Sequence, residues 1–407
     1  MKIALIKEGK IPADKRVAFT PEQILELHRV YPQLEVVVEN SDVRSFEDIE
    51  YMSRGITVTD DIEDCDVFMG IKEVPIVQLK DEKTYVFFSH TIKKQPYNRA
   101  LLQAIIQKQI KLIDYEVIKN PQGERVVAFG RWAGIVGAYN GLWTYGKKSG
   151  LYDIKRAYDC FDREELDREL HKVQLPPIKI VVTGTGRVGK GVVEVLLEAG
   201  MRQVDSHDFL NAYFEEPVFT VLSSSHFNRR KTDGGFDRIE FYKEPEKYES
   251  HFLKYAEVSD ILMAAAYWDN RAPRLFSPED IKSDDFNISV IADITCDIHG
   301  SVPTTIRASK VLDPVYDIDR EHFEELPPFG KQTSISVMAI DNLPTELPRD
   351  ASKDFGEQLM KYFIPELMKP RSEMIEKATV AKEGDLTLEF IYLKEFVAEN
   401  SQENEKY

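Results

Sequence analysis

The run Ile-Lys-Ile-Val-Val-Thr-Gly-Thr-Gly-Arg-Val-Gly-Lys-Gly, residues 178–191, constrains this chain more than any other segment. An apolar, β-branched stretch leads straight into Gly184-x-Gly186-x-x-Gly189, and an amphipathic stretch, 191–198, comes at once after it. That order predicts a strand, a tight turn and a helix. Gly184 permits the turn, Gly186 lets the backbone approach a phosphate, and Gly189 lets helix and strand pack closely; Arg187 and Val188 complete the loop. The helix N-terminus offers unpaired N–H groups and a positive dipole end to an anion. A further predicted strand, 202–205, ends in Asp205 about twenty residues on, where such folds place the acid that binds a ribose 2′-hydroxyl. A helix N-cap is the alternative role for Asp205. As a ribose ligand it would favour NAD over NADP, because a carboxylate repels a 2′-phosphate, while Arg187 and Arg202 leave NADP open.

The rest of the chain alternates strands and helices around this loop. Ahead of it the predicted strands are 3–6, 35–38, 67–69, 85–88 and 111–113, with helices over 21–30 and 96–109; the second series adds 178–183, 218–222, 261–264 and 288–294. Such alternation predicts an α/β fold with largely parallel sheets covered on both faces. The stretch 145–174 is charged and helical in tone and reads as a surface connection; a helical run is expected over 351–367, and the polar tail 399–407 as frayed. At 407 residues, two domains are expected. A net charge of −17 argues against nucleic acid or an anionic membrane as partner. No apolar run approaches the roughly 18 residues that span a bilayer. Three cysteines far apart, without a C-x-x-C pair, predict reduced thiols in a cytoplasmic protein. The histidines show no metal-ligand spacing, and no metal is expected.

Polar clusters stand at the predicted ends of the early strands: Lys15-Arg16, Lys72-Glu73, Ser89 to Gln95 with His90 and Lys93, and Asp114-Tyr115-Glu116. Ligands of open α/β sheets bind outside the carboxyl ends of the strands. Singly, each is as well explained as a cap or a solvated turn charge. Together they form a set of cationic and titratable groups, in which a lysine and a histidine would lower each other's pKa by like-charge repulsion and be poised for proton transfer.

The segments Lys-Thr-Tyr-Val-Phe-Phe-Ser-His-Thr-Ile-Lys-Lys-Gln (83–95), Leu-Ile-Asp-Tyr-Glu (112–116), Gly-Glu-Arg-Val-Val-Ala-Phe-Gly-Arg-Trp-Ala-Gly (123–134) and Asp-Asn-Leu-Pro-Thr-Glu-Leu-Pro-Arg (341–349), with the glycine loop, resemble the saccharopine dehydrogenase (lysine-forming) family. The likeness is strongest to its lysine–2-oxoglutarate reductase branch, within a wider group that includes alanine dehydrogenase and the nicotinamide-binding subunit of transhydrogenase. Segment 143–175 departs from it. The resemblance implies two Rossmann-like domains with the active site in the interdomain cleft: a discontinuous substrate domain, 1–140 plus 308–407, and a dinucleotide domain, 141–307. It implies Lys72 and His90 as the catalytic proton-transfer pair. Arg16, Lys93, Gln95 and Arg125 would hold substrate carboxylates, and Glu73 and Glu116 would tune the pair. Phe129 would line the active cleft, and Asp293 and Asn342 would lie near the nicotinamide, although 293–297 is also good turn chemistry. The implied reaction is the reversible NAD(P)H-dependent condensation and reduction of L-lysine with 2-oxoglutarate to saccharopine. Two alternatives stay open: an alanine dehydrogenase-like deaminase, and a non-catalytic nicotinamide-binding protein. Small molecules are the expected partners, and a homo-oligomer is left open.

Overall fold

The computed structural model describes residues 1–399, so all but the first residue of the expected polar tail lies outside the described residues. The chain divides into two compact units, Phe129–Leu347 and the remainder on either side of it. The first unit opens with five strands: β1 (Lys2–Leu5), β2 (Glu35–Val38), β3 (Val67–Met69), β4 (Thr84–Phe87) and β5 (Lys111–Asp114). All are paired in parallel. Ala4, Val37, Phe68, Tyr85 and Leu112 pack together in one core cluster. The crossover helix α1 (Pro21–Val30) starts where the sequence dictates: Thr20 and Gln23 form a reciprocal capping box, Pro21 opens the first turn, and Ile24 and Leu27 are buried. Helix α2 (Arg99–Gln107) starts three residues later than expected, because Pro96–Asn98 forms a separate 3-10 turn.

The second unit begins with α3 (Gly130–Ser149), a 20-residue helix that pattern reading did not isolate. Its composition is glycine-rich and apolar nearly all round, so it shows no amphipathic stripe, and its Ile135–Leu142 run is buried. The expected domain boundary at 140 would cut this helix, and the connection expected over 145–174 is in fact the end of α3, an irregular stretch and α4 (Arg163–Leu170). Strand β6 (Lys179–Thr183) and helix α5 (Arg187–Glu198) frame the glycine loop. Next come β7 (Arg202–Gln203), α6 (Ser206–Asn211), β8 (Val218–Leu222) and α7 (Ser224–Phe227). A small hairpin of β9 (Asn228–Arg230) and β10 (Tyr248–Ser250) stands apart from the sheet. The sheet continues with β11 (Ile261–Ala264), β12 (Val290–Asp293), β13 (Val315–Ile318), β14 (Glu325–Leu326) and β15 (Ile335–Met338). Residues 308–347, expected with the first unit, thus pair into the second sheet.

The order of that sheet is β14-β13-β15-β12-β11-β6-β8-β7. The strand beside β6 is therefore β8. Strand β7, which comes directly after the glycine-loop helix, is pushed to the edge and pairs only with β8. Glycines bring α3 and α5 into backbone contact: a Cβ on Gly134 would stand 2.0 Å from the Val188 carbonyl oxygen, and one on Gly191 2.1 Å from that of Arg131. After Leu347 the chain returns to the first unit through α8 (Pro348–Gln358), then a π-helical turn, Leu359–Phe363, in the run expected to be helical. Strands β16 (Thr379–Lys382) and β17 (Asp385–Leu386) complete the first sheet in the order β17-β16-β5-β4-β3-β1-β2, with β16 antiparallel to β5.

Candidate active site and dinucleotide loop

In the first unit the polar clusters stand just beyond the carboxyl ends of β1, β3, β4 and β5. His90 comes after β4 in a left-handed conformation, φ 53°. The turn before it is pinned by buried Asp114, whose carboxylate accepts from the Ser89 hydroxyl (2.5 Å), the Ser89 N–H (3.2 Å) and the Glu116 N–H (2.7 Å). Burial pushes the Asp114 carboxyl up, and these donors work against it. The His90 ring stacks on Phe88, centroids 6.4 Å apart, and the Arg125 guanidinium lies 5.4 Å from the Phe88 ring.

Glu73 joins the β3 and β4 ends. Its Oε1 lies 2.7 Å from His90 Nδ1, and its Oε2 accepts from Lys10 Nζ at 2.8 Å. Burial alone would raise this carboxyl, but the bonds from His90 and Lys10 outweigh it and hold it at about 2. The Lys72 amine is lowered from its ordinary value, first by burial and next by the Arg16 cation. That differs from the expected lysine–histidine repulsion. Arg16 itself is 2 % exposed and clamps Asp14, also 2 % exposed, through Nε (2.9 Å) and Nη2 (2.5 Å). Its fork is thus engaged by a protein carboxylate, which it holds well below the usual range against the opposing push of burial. Lys93 and Arg125 both approach Glu116, at 3.1 and 3.9 Å, and the Glu116 Oε2 is buried without a hydrogen-bond partner. Gln95 is exposed and accepts from the Tyr97 hydroxyl at 2.6 Å.

Sequence reasoning missed Glu8, Lys10 and Asp14. The Glu8 carboxylate accepts the N–H of Ile71 (2.6 Å) and of Lys72 (2.9 Å), tethering the segment that carries the catalytic candidates to the end of β1. Burial, then the Asp14 charge, push Glu8 up to about 8. A signal was present: Lys-Glu-Gly-Lys comes after β1 as Lys72-Glu73 comes after β3.

In the second unit the glycine loop fits a dinucleotide pyrophosphate. Gly184 has φ +100°, and a Cβ there would meet the Ala265 carbonyl oxygen at 2.6 Å; a Cβ on Gly189 would meet that of Gly184 at 1.9 Å. Gly186 is exposed, with no atom within 4 Å of its Cβ position, so its backbone is open to an approaching phosphate. Arg187 is exposed and Val188 half-buried at the start of α5. Val188, Ala265, Thr295 and Asp297 line an open groove of about 830 Å³ at the ends of β11 and β12. Asp293 ends β12, and its carboxylate is bound within its own turn and to Thr305: it accepts from Thr295 N–H and hydroxyl (3.1 and 2.6 Å), Cys296 N–H (3.2 Å) and the Thr305 hydroxyl (2.6 Å). Phe129 caps α3, and Asn342 caps a 3-10 turn, Leu343–Glu346; both belong to the second unit. Asp205 is exposed and caps α6, accepting from the N–H groups of His207 (2.8 Å) and Asp208 (3.0 Å). The side chains of Asp205, His207 and Asp208 lie within 4.8 Å of one another on the surface.

The chain belongs to the alanine dehydrogenase/PNT family: residues 4–136 match its N-terminal domain and residues 168–389 its C-terminal domain. It is 29% identical to the mitochondrial alpha-aminoadipic semialdehyde synthase of Mus musculus, covering 96% of this chain and 47% of that one, so the chain spans about half the length of that relative. It is 27% identical to the saccharopine dehydrogenase (NAD(+), L-lysine-forming) of Emericella nidulans, covering 94% and 95% of the two chains. Among solved structures an L-alanine dehydrogenase shares the fold, with a TM-score of 0.65 at 16% identity over 95% of this chain and 97% of that one. Among the described residues no helix is long and apolar enough to cross a membrane.

Proposed function

We propose that this chain catalyses the reversible reductive condensation of L-lysine with 2-oxoglutarate to saccharopine, with NAD or NADP as carrier. The observation that supports it most is the Lys72–Glu73–His90 arrangement at adjacent strand ends, in a chain alike over nearly its whole length to a lysine-forming saccharopine dehydrogenase. Condensation needs the lysine ammonium to shed two protons and the ketone oxygen to gain two and leave as water, which gives the protonated imine that accepts hydride. Burial and the Arg16 cation make the neutral, proton-accepting form of the Lys72 amine easier to reach, and an imidazole held by a carboxylate can pass a proton on. We assign Lys72 and His90 to these transfers. Glu73 fixes the His90 ring. Lys93 and Arg125 suit the two carboxylates of the oxoacid, and Glu116, which they now neutralise, suits the lysine ammonium. Arg16, engaged with Asp14, sets the charge around Lys72. Gly184, Gly186 and Gly189 would cradle the dinucleotide pyrophosphate, and the nicotinamide would supply the hydride when bound. The three cysteines are unpaired, in keeping with a cytoplasmic setting.

The test is loss of absorbance at the reduced-nicotinamide band, run with NADH and with NADPH. Oxidation that requires both lysine and 2-oxoglutarate supports the reading. Oxidation with ammonia and pyruvate but none with lysine overturns it in favour of an alanine dehydrogenase-type reaction.

A further inference from the structure

The second unit carries a concentration of positive charge away from the glycine loop, in a chain whose net charge is −17. Arg229 on β9, His251 and Lys254 just after β10, and Arg274 between β11 and β12 line one open cavity of about 730 Å³. It shares no lining residue with the groove at the ends of β11 and β12. Three separate segments deliver these groups, and the fold pins each of them. The Ser250 hydroxyl donates to the Leu275 carbonyl at 2.6 Å, and the His251 N–H donates to that of Phe227 at 2.9 Å. Phe252, next to His251, is fully buried and packs on Phe276 and Tyr255, with centroids 6.4 and 6.2 Å away.

The cations themselves are poorly matched. No carboxylate pairs with Lys254 among the described residues; its amine lies 5.1 Å from the Tyr255 ring, and burial, then the Arg229 cation, lower it. The His251 imidazole is lowered by burial and next by Lys254 and Arg229. Arg274 donates Nη2 to the His299 carbonyl at 3.0 Å and has no carboxylate partner among the described residues. Only Arg229 is paired, through Nε to Glu249 at 2.8 Å across the hairpin. Of the acids on the wall, Asp280 accepts from the Ser277 N–H (2.6 Å) and hydroxyl (2.7 Å), and Glu257 is exposed. Like charges held beside one another in a half-buried place cost free energy, which a bound anion would offset.

We propose that this cavity is a binding site for a phosphate monoester, separate from the dinucleotide groove. Cations delivered by three segments suit the tetrahedral oxygens of a phosphate better than a planar carboxylate, for which one arginine fork suffices. Leu253, Phe276 and Pro278 add apolar wall for the organic part of the ligand. The site stands independently of the reaction proposed above.

Calorimetric titration of the full chain with inorganic phosphate, phenyl phosphate and citrate, at constant ionic strength, tests this without relying on turnover. Both phosphates are expected to bind with dissociation constants of about 1 mM or tighter, phenyl phosphate the more tightly. Lys254→Gln should weaken both about tenfold or more. Arg274→Gln, at an exposed position, should do the same and serves if the first variant does not fold. Phosphate could also enter the glycine loop or meet Lys93, so Gly186→Ala and Lys93→Gln are the controls, and both should leave these constants within about twofold. Absence of phosphate binding, binding kept in Lys254→Gln and Arg274→Gln, or binding lost in either control would each overturn the proposal. So would citrate bound as tightly as phenyl phosphate, or phenyl phosphate bound more weakly than phosphate.

Discussion

Glu73 holds His90 by one carboxylate oxygen, 2.7 Å from Nδ1, while its other oxygen binds Lys10 at 2.8 Å. The imidazole is thereby fixed in orientation by its Nδ1, which leaves Nε2 for the proton transfer proposed above. Glu73→Gln keeps the shape and removes the charge. Turnover should fall roughly 10- to 100-fold, while the dissociation constant for the dinucleotide, bound by the other unit, stays within about twofold. Steady-state kinetics paired with fluorescence titration check this; unchanged turnover would remove Glu73 from the machinery.

Glu8 gives a stability signature. Its carboxyl is raised from 4.5 to about 8 in the fold, so the folded state binds the proton more tightly than the unfolded chain. The contribution is full below about 4.5 and is lost as the pH climbs through about 8. Glu8→Gln does not titrate. Between pH 5 and pH 8 the wild-type Tm should therefore drop by about 5 °C or more relative to that of the variant, measured by calorimetry in both.

The glycine loop separates folding from binding. Gly186→Ala places its Cβ in open space at a φ of −79°, which alanine adopts freely, so its Tm should match the wild type within about 1 °C. Its dinucleotide affinity should nevertheless fall about tenfold or more, because the methyl occupies the approach of the phosphates. Gly189→Ala, 1.9 Å from the Gly184 carbonyl oxygen, should lose both stability and binding. Equal behaviour of the two variants would be against a phosphate cradle.

Helices α3 and α5 meet backbone to backbone at Gly134 and Gly191. A methyl on Gly191 would sit 2.1 Å from the Arg131 carbonyl oxygen and force the helices apart. Gly191→Ala should cost about 3 kcal/mol or more in denaturant unfolding. Lys190→Ala, exposed one residue earlier, should stay within about 0.5 kcal/mol of wild type.

Much of this was legible along the chain. The five opening strands and the glycine loop lie within a residue or two of their expected places, because alternation, turn residues and glycine spacing are local properties. Lys72 and His90 stand out in the sequence by their position just after apolar runs. Helix α3 was not, since a helix buried nearly all round carries no periodic stripe. Glu8 and Asp14 were not, since each matters through partners distant in the chain or through burial: Glu8 through the N–H groups of Ile71 and Lys72, Asp14 through the desolvated Arg16.

By itself, then, the sequence determined that a strand, a phosphate-sized turn and a helix must form at 178–198, because each glycine there answers a contact made within a few residues. It also determined that polar groups would stand at the ends of the early strands. Only the tertiary structure decided which strand lies beside that turn. Pairing β8 rather than β7 with β6 is a choice among strands separated by loops and helices, settled by burial of both sheet faces. That choice sets Asp205, just past β7, two strands away from the glycine-loop strand.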